Sequence, residues 1–198
     1  MVELAAREGR RGLWRTLRRA WLAAETPQAR RRFLLALAAF RDPDRVDETL
    51  ALALDPRVPG GDVALLLGRA LHNPEAREQA WSFVERRWNA LSRRMGAMLV
   101  TRLIGATPAL GTREARRDVA AFFRAHPVPT GRRAVRQALE RFDLELALVR
   151  RGAPELGRFV AERPAPREPL PAPEGALPAK VTSQSGRWEE HPRAARGG

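Results

Sequence analysis

The sequence predicts an all-α fold of antiparallel helix hairpins stacked side by side, followed by a proline-rich tail. Three observations predict it. Apolar residues recur at three- and four-residue steps from Leu13 to Val149, the spacing that places them on one face of a helix. Almost nothing between them alternates with the period of two that a half-buried strand requires. Thr26-Pro27, Asp42-Pro43 and Asn73-Pro74 each join a capping side chain to a proline, and proline suits the first helical position because its missing N–H would go unpaired there.

The elements follow in order. Leu13, Trp14, Leu17, Ala20, Trp21 and Ala24 form one stripe, ended by Thr26-Pro27. The next helix carries Phe33, Leu34, Leu37 and Phe40, and Asp42 opens a third with Val46, Leu50 and Leu54. Gly60-Gly61-Asp62 opens a short, mostly apolar helix through Leu65, Leu66 and Leu67 that ends near His72 and should be buried. Asn73 is read as the cap of the next helix, where Ala80, Trp81, Val84, Trp88 and Leu91 put both indoles on one face. Met95 to Ile104 reads as a separate compact helix. Thr112 caps another with Ala115, Val119, Phe122 and Phe123, broken by Pro127, Pro129 and Gly131. A last long helix, Arg132 to Arg151, places Val135, Ala138, Phe142, Leu146 and Val149 inward, and Leu156, Phe159 and Val160 are expected to dock as a short final turn.

From about Glu162 the prolines at 164, 166, 169, 171, 173 and 178 interrupt regular structure, and too few apolar residues remain to offset the entropy of ordering. The division expected is a helical domain over 1–161 and a disordered tail over 162–198, in which Trp188 has no assigned role. Of 198 residues, 36 are basic against 23 acidic, giving +13 and a pI near 11.7. Lys180 is the only lysine, so arginine stands even on ordinary solvated faces. Its pairs, at 18–19, 86–87, 116–117 and 150–151 among others, are spread along the chain, which reads as solvated helix surface rather than a polyanion site. No apolar run approaches the roughly 20 residues of a membrane span, and Met1 to Arg7 lacks a signal peptide's apolar region. A cytoplasmic, membrane-free protein is expected. The basic amphipathic helix with Trp14, Arg18, Arg19 and Trp21 is read as the first layer of the stack, with Met1 to Glu8 as its partial cap. Trp14, Trp21, Trp81 and Trp88 are read as core because they share stripes with aliphatic residues.

Several of these segments also resemble a known family. Phe33 through Pro43 with its Phe40-Arg-Asp-Pro turn, Thr49-Leu50, Asn73-Pro74 with Ala80-Trp81 and Trp88, Phe122-Phe123-Arg-Ala-His-Pro127-Val128 and Gln137-Ala-Leu-Glu140 resemble, in order and spacing, the helical C-terminal domain of the puromycin-sensitive and endoplasmic-reticulum aminopeptidases. These are zinc enzymes of the aminopeptidase N superfamily. The resemblance runs from about Trp14 to about Val160, roughly the latter half of that domain and none of the catalytic one. It implies a HEAT-like α-solenoid that closes over a zinc site as lid and wall and limits which peptides enter.

The zinc site of that family needs H-E-x-x-H, two imidazoles on one helix face with a glutamate acting on the bound water. Here His72, His126 and His191 each stand alone and none precedes Glu; Cys is absent. His72 and His126 lie at helix ends, where capping or packing is the expected role. No catalytic, cofactor-binding or metal residue is assigned, no peptide hydrolysis is expected of this polypeptide alone, and zinc is expected only in a catalytic domain outside it. The chain then reads as a split or truncated remnant, its partners a separate catalytic aminopeptidase polypeptide or peptides. The alternatives are a HEAT-like nucleic-acid-binding protein, its arginines neutralising phosphates, and a general protein-interaction scaffold.

Overall fold

A computed structural model describes residues 12–162. Among them the chain forms seven α-helices and no strand: α1 Leu13–Ala23, α2 Pro27–Leu37, α3 Pro43–Ala51, α4 Gly60–Leu71, α5 Arg77–Ala106, α6 Arg113–Ala125 and α7 Arg132–Glu162. Single 3-10 turns, Leu52–Leu54, Thr107–Leu110 and Pro129–Gly131, join α3 to α4, α5 to α6 and α6 to α7. The all-α expectation holds for these residues. They fall in a unit reaching Gly157, with the last turn of α7, 158–162, belonging to a second. The expected tail lies outside the described residues except for Glu162, as do Met1 to Glu8, Trp188 and His191.

Two of the three proline-tagged starts form as read. Thr26 Oγ1 accepts from the Ala29 N–H at 3.2 Å and Asp42 Oδ1 from the Arg45 N–H at 3.1 Å, each with proline in the first turn. Thr112 caps α6 the same way, accepting from Ala115 at 3.0 Å. The stripes become the core. Trp14, Leu17 and Trp21 bury the inner face of α1 against α2. Trp14 Nε1 donates to Thr49 Oγ1 at 2.9 Å, and the guanidinium carbons of Arg45 and Arg18 stand 5.3 and 5.8 Å from its ring centre. The apolar helix α4 is central: Val63, Leu66, Leu67 and Leu71 are fully covered, and it packs along α5 while also touching α2 and α3. Its one buried charge, Asp62, is held by Arg31 of α2, so the carboxylate is paired and sits where the helix dipole favours it.

The third start differs. Helix α5 begins at Arg77, with Ala76 at the capping position, and 74–76 form a turn. Asn73 Oδ1 accepts from the Glu75 N–H at 3.3 Å in that turn, while its Nδ2 donates to the carbonyls of Ala38 and Phe40, at 3.1 and 2.8 Å, and its main-chain carbonyl accepts from Ala76 and Arg77. Those are orphan acceptors at the end of α2, so the side chain staples that end to the start of α5. The helix expected at Met95–Ile104 forms as the second half of α5, set off from the first at Gly96, whose φ 70° and ψ 169° are open to glycine and closed to residues with a side chain. Just before it, Arg94 Nη2 donates to the carbonyls of Asp55 and Val58 at 2.8 and 2.7 Å, tying the loop that leads into α4. Leu54 lies in the 3-10 turn after α3, not in the helix.

The last helix runs past Arg151 to Glu162. Ala138 and Phe142 are buried as expected and Leu146 is half-buried, but Val149 is 66% exposed. Leu156, Phe159 and Val160 continue the same helix, at 61–63% exposure, instead of forming a short final turn.

Candidate functional site

The aromatic residues of α5 and α6 form one cluster that fixes the angle between the two helices. Phe122 meets Trp81 and Trp88 edge-on, both at 5.3 Å between ring centres, and Phe123 meets Trp88 at 5.5 Å. All four rings are buried, so these tryptophans are core, as their stripe implies, and offer no stacking surface. His126, which ends α6, stacks on Phe122 at 4.4 Å and points Nδ1 at the Phe122 carbonyl, 3.0 Å away. His72 does the same at the end of α4, with Nδ1 2.8 Å from the Gly68 carbonyl. Each ring is thus committed to a helix end.

Three carboxylates define the remaining electrostatics. Asp55 falls to about 2 because the Arg57 side chain hydrogen-bonds to it, against the opposing effect of burial. The same Arg57 covers the Trp21 ring at 5.4 Å. Glu85 is held above the usual carboxylate range by partial burial and by the facing charge of Asp118 on α6; the Trp81 indole and Arg86 pull it the other way. Asp143 on α7 is paired with Arg116 on α6: Nη2 donates to Oδ2 at 2.6 Å, and Nε stands 2.6 Å from Oδ1 without closing a hydrogen bond. No three metal-ligating side chains come together among the described residues. With both described histidines engaged at helix ends, the donor set does not fit a zinc site.

Two surface concavities lie where α6 meets α7. Beside the aromatic cluster is a pocket of about 240 Å³. Its floor is Phe123, Val128 and Val135, and Arg124 and Arg132 stand at its rim. Neither arginine has a carboxylate partner among the described residues. Further along the same pair of helices is an open groove of about 610 Å³, with Arg113, Arg116 and Arg117 on one wall and Arg150 on the other. The reading of the arginines as spread along the chain therefore misses a local concentration. The doublets at 116–117 and 150–151 are far apart in sequence, yet Arg116, Arg117 and Arg150 share one groove because α7 folds back along α6. Arg113 and Arg117, one helical turn apart, are the part of the signal that spacing could have revealed.

Among the described residues, no helix is long and apolar enough to cross a membrane. A family model for the ERAP1-like C-terminal domain matches residues 1–144. Similar proteins include aminopeptidase M1-A of Oryza sativa subsp. japonica, 29% identical over 155 residues, which are 75% of this chain and 17% of the relative. Aminopeptidase M1 of Arabidopsis thaliana is 28% identical over 130 residues, 65% of this chain and 15% of its own length. Aminopeptidase M1-C of Oryza sativa subsp. japonica is 30% identical over 135 residues, 66% and 15%. The chain thus spans 15–17% of the length of the curated relatives it matches.

Proposed function

The chain belongs to the ERAP1-like C-terminal domain family, and on that premise we propose that it is the noncatalytic helical portion of a zinc aminopeptidase, acting on peptide access to a catalytic portion. Its helices are taken to stack as a HEAT-like solenoid beside that portion, in the cytoplasm, and its role is to receive the end of the peptide remote from the bond being cut.

One observation carries the peptide-end reading: an apolar floor of Phe123, Val128 and Val135 rimmed by Arg124 and Arg132. An apolar C-terminal side chain fits the floor, and its α-carboxylate fits a guanidinium fork through charge-assisted hydrogen bonds. A site of this kind works by position. It holds one end of a peptide so that only chains of suitable length present their other end to a metal elsewhere. Support for placing the metal elsewhere is the donor set, which lacks the paired imidazoles that zinc hydrolysis needs.

The test is fluorescence anisotropy with an N-terminally labelled peptide ending in leucine, prepared as free acid and as amide. The free acid is expected to bind about tenfold more tightly than the amide, and Arg124→Ala with Arg132→Ala to remove the difference. Equal binding of the two forms contradicts the reading. Co-purification with a polypeptide carrying H-E-x-x-H would further support association with a catalytic portion.

A further inference from the structure

We infer that the groove between α6 and α7 is a docking site for an extended acidic segment of a protein partner, recognised through internal Asp and Glu side chains rather than through a chain terminus. Four guanidiniums against two carboxylates, Glu114 and Asp143, leave the groove with a local charge of +2. Arg116 is neutralised by Asp143, and Arg117 by Glu114 at 3.1 Å. Arg113 and Arg150, on opposite walls, have no carboxylate partner among the described residues. Arg113 also opens α6, where the positive end of the helix dipole adds to its field.

The chemistry of the lining selects the ligand. The groove already holds one carboxylate by a charge-assisted bond: Arg116 Nη2 donates to Asp143 Oδ2 at 2.6 Å, the pairing an incoming carboxylate would find at Arg113 or Arg150. Leu146 and Ala147 lie in the lining between the charged positions, where an aliphatic side chain of the partner would be covered. A nucleic-acid strand fits less well. The lining has no aromatic ring on which a base could stack. Two carboxylates about one groove-width apart, with an aliphatic residue between them, match the observed walls and floor.

The site is separate from the peptide-end pocket, and the test keeps the two apart by using a probe with no free terminus. An acetylated, amidated and fluorescently labelled peptide of alternating Glu and Leu is titrated into the full chain at low salt, beside a Lys–Leu peptide and single-stranded DNA of equal length. The Glu–Leu peptide is expected to bind saturably, and added salt to weaken it. Arg113→Gln with Arg150→Gln is expected to weaken it about tenfold or more at an unchanged melting temperature. Arg93→Gln with Arg133→Gln, and Arg124→Ala with Arg132→Ala, should leave it unaltered. The inference is overturned if the acidic peptide does not saturate, if the Arg93/Arg133 pair weakens it as much, or if DNA binds more tightly and displaces it. The first two outcomes leave the peptide-end pocket untouched.

Discussion

Trp81→Ala is expected to destabilise the folded unit by about 3–5 kcal/mol, the range for deleting a large aromatic side chain from a core. The indole is 5% exposed and is held by Phe122 at 5.3 Å and Phe123 at 6.2 Å, with Val84 and Trp88 following on the same face of α5. The neighbours are rings anchored on two helices, so they cannot rotate into the space left behind, and a cavity remains. Trp81→Phe separates volume from polarity. Its Nε1 is buried and closes no hydrogen bond, although the indole lies near enough to Glu85 to favour the charged carboxylate. Phenylalanine keeps most of the packing and removes a buried unpaired donor, so the loss should be under about 1.5 kcal/mol. Urea denaturation of the three proteins, compared at a common slope, measures both. A Trp81→Ala loss below about 1 kcal/mol would mean that the aromatic cluster does not hold α5 and α6 together.

The second large effect is at a glycine. At Gly60, in the first turn of α4, an added Cβ would overlap the carbonyl oxygen of Arg94 on α5. The obstacle is backbone, so no rotamer change relieves it, and the two most closely packed helices must separate. Gly60→Ala is expected to cost about 3 kcal/mol, the upper range for overpacking. Its neighbour is the control: a Cβ at Gly61 meets nothing within 4 Å, and helix propensity makes Gly61→Ala neutral or stabilising by up to about 1 kcal/mol. Thermal melts of the pair suffice. Two substitutions of the same kind, one residue apart, should move in opposite directions, and equal shifts would mean that α4 does not approach α5 this closely.

Much of this was legible beforehand, for identifiable reasons. A buried helical face needs a repeated apolar stripe, so Trp14, Leu17 and Trp21, and then Trp81, Val84, Trp88 and Leu91, announced their helices and their burial together. Caps are equally local, and Thr26, Asp42 and Thr112 act where they were expected. Asn73 does more than cap: its Oδ1 accepts from the Glu75 N–H, while its Nδ2 is taken by two carbonyls more than thirty residues away, a long-range demand that local pattern does not contain. The end of α7 was misjudged for a related reason. Val149 and Leu156 keep the apolar period, but period alone does not say whether another of the described elements covers them. The arginine groove was missed because its walls come from different helices, and only their packing brings Arg113 and Arg150 to face one another across it.

The same packing explains why the candidate sites lie where they do. The rings of Phe122 and Phe123 turn inward to the tryptophans, which leaves the outer side of α6 to its arginines. Recognition would then rest on a rigid aromatic support, and a substitution in that support would alter binding only by loosening the frame. The predicted separation is simple: core variants such as Trp81→Ala lower stability, whereas the arginine variants lower affinity at constant stability.

The account stands most directly on one measurement: purified chain, dialysed against zinc and freed of excess metal, assayed for bound zinc and for release of a fluorogenic aminoacyl reporter. It predicts substoichiometric zinc and no turnover above buffer, together with binding of the free-acid peptide by the same preparation. One zinc per chain with steady release of the reporter, abolished by chelation and restored by metal, would contradict it.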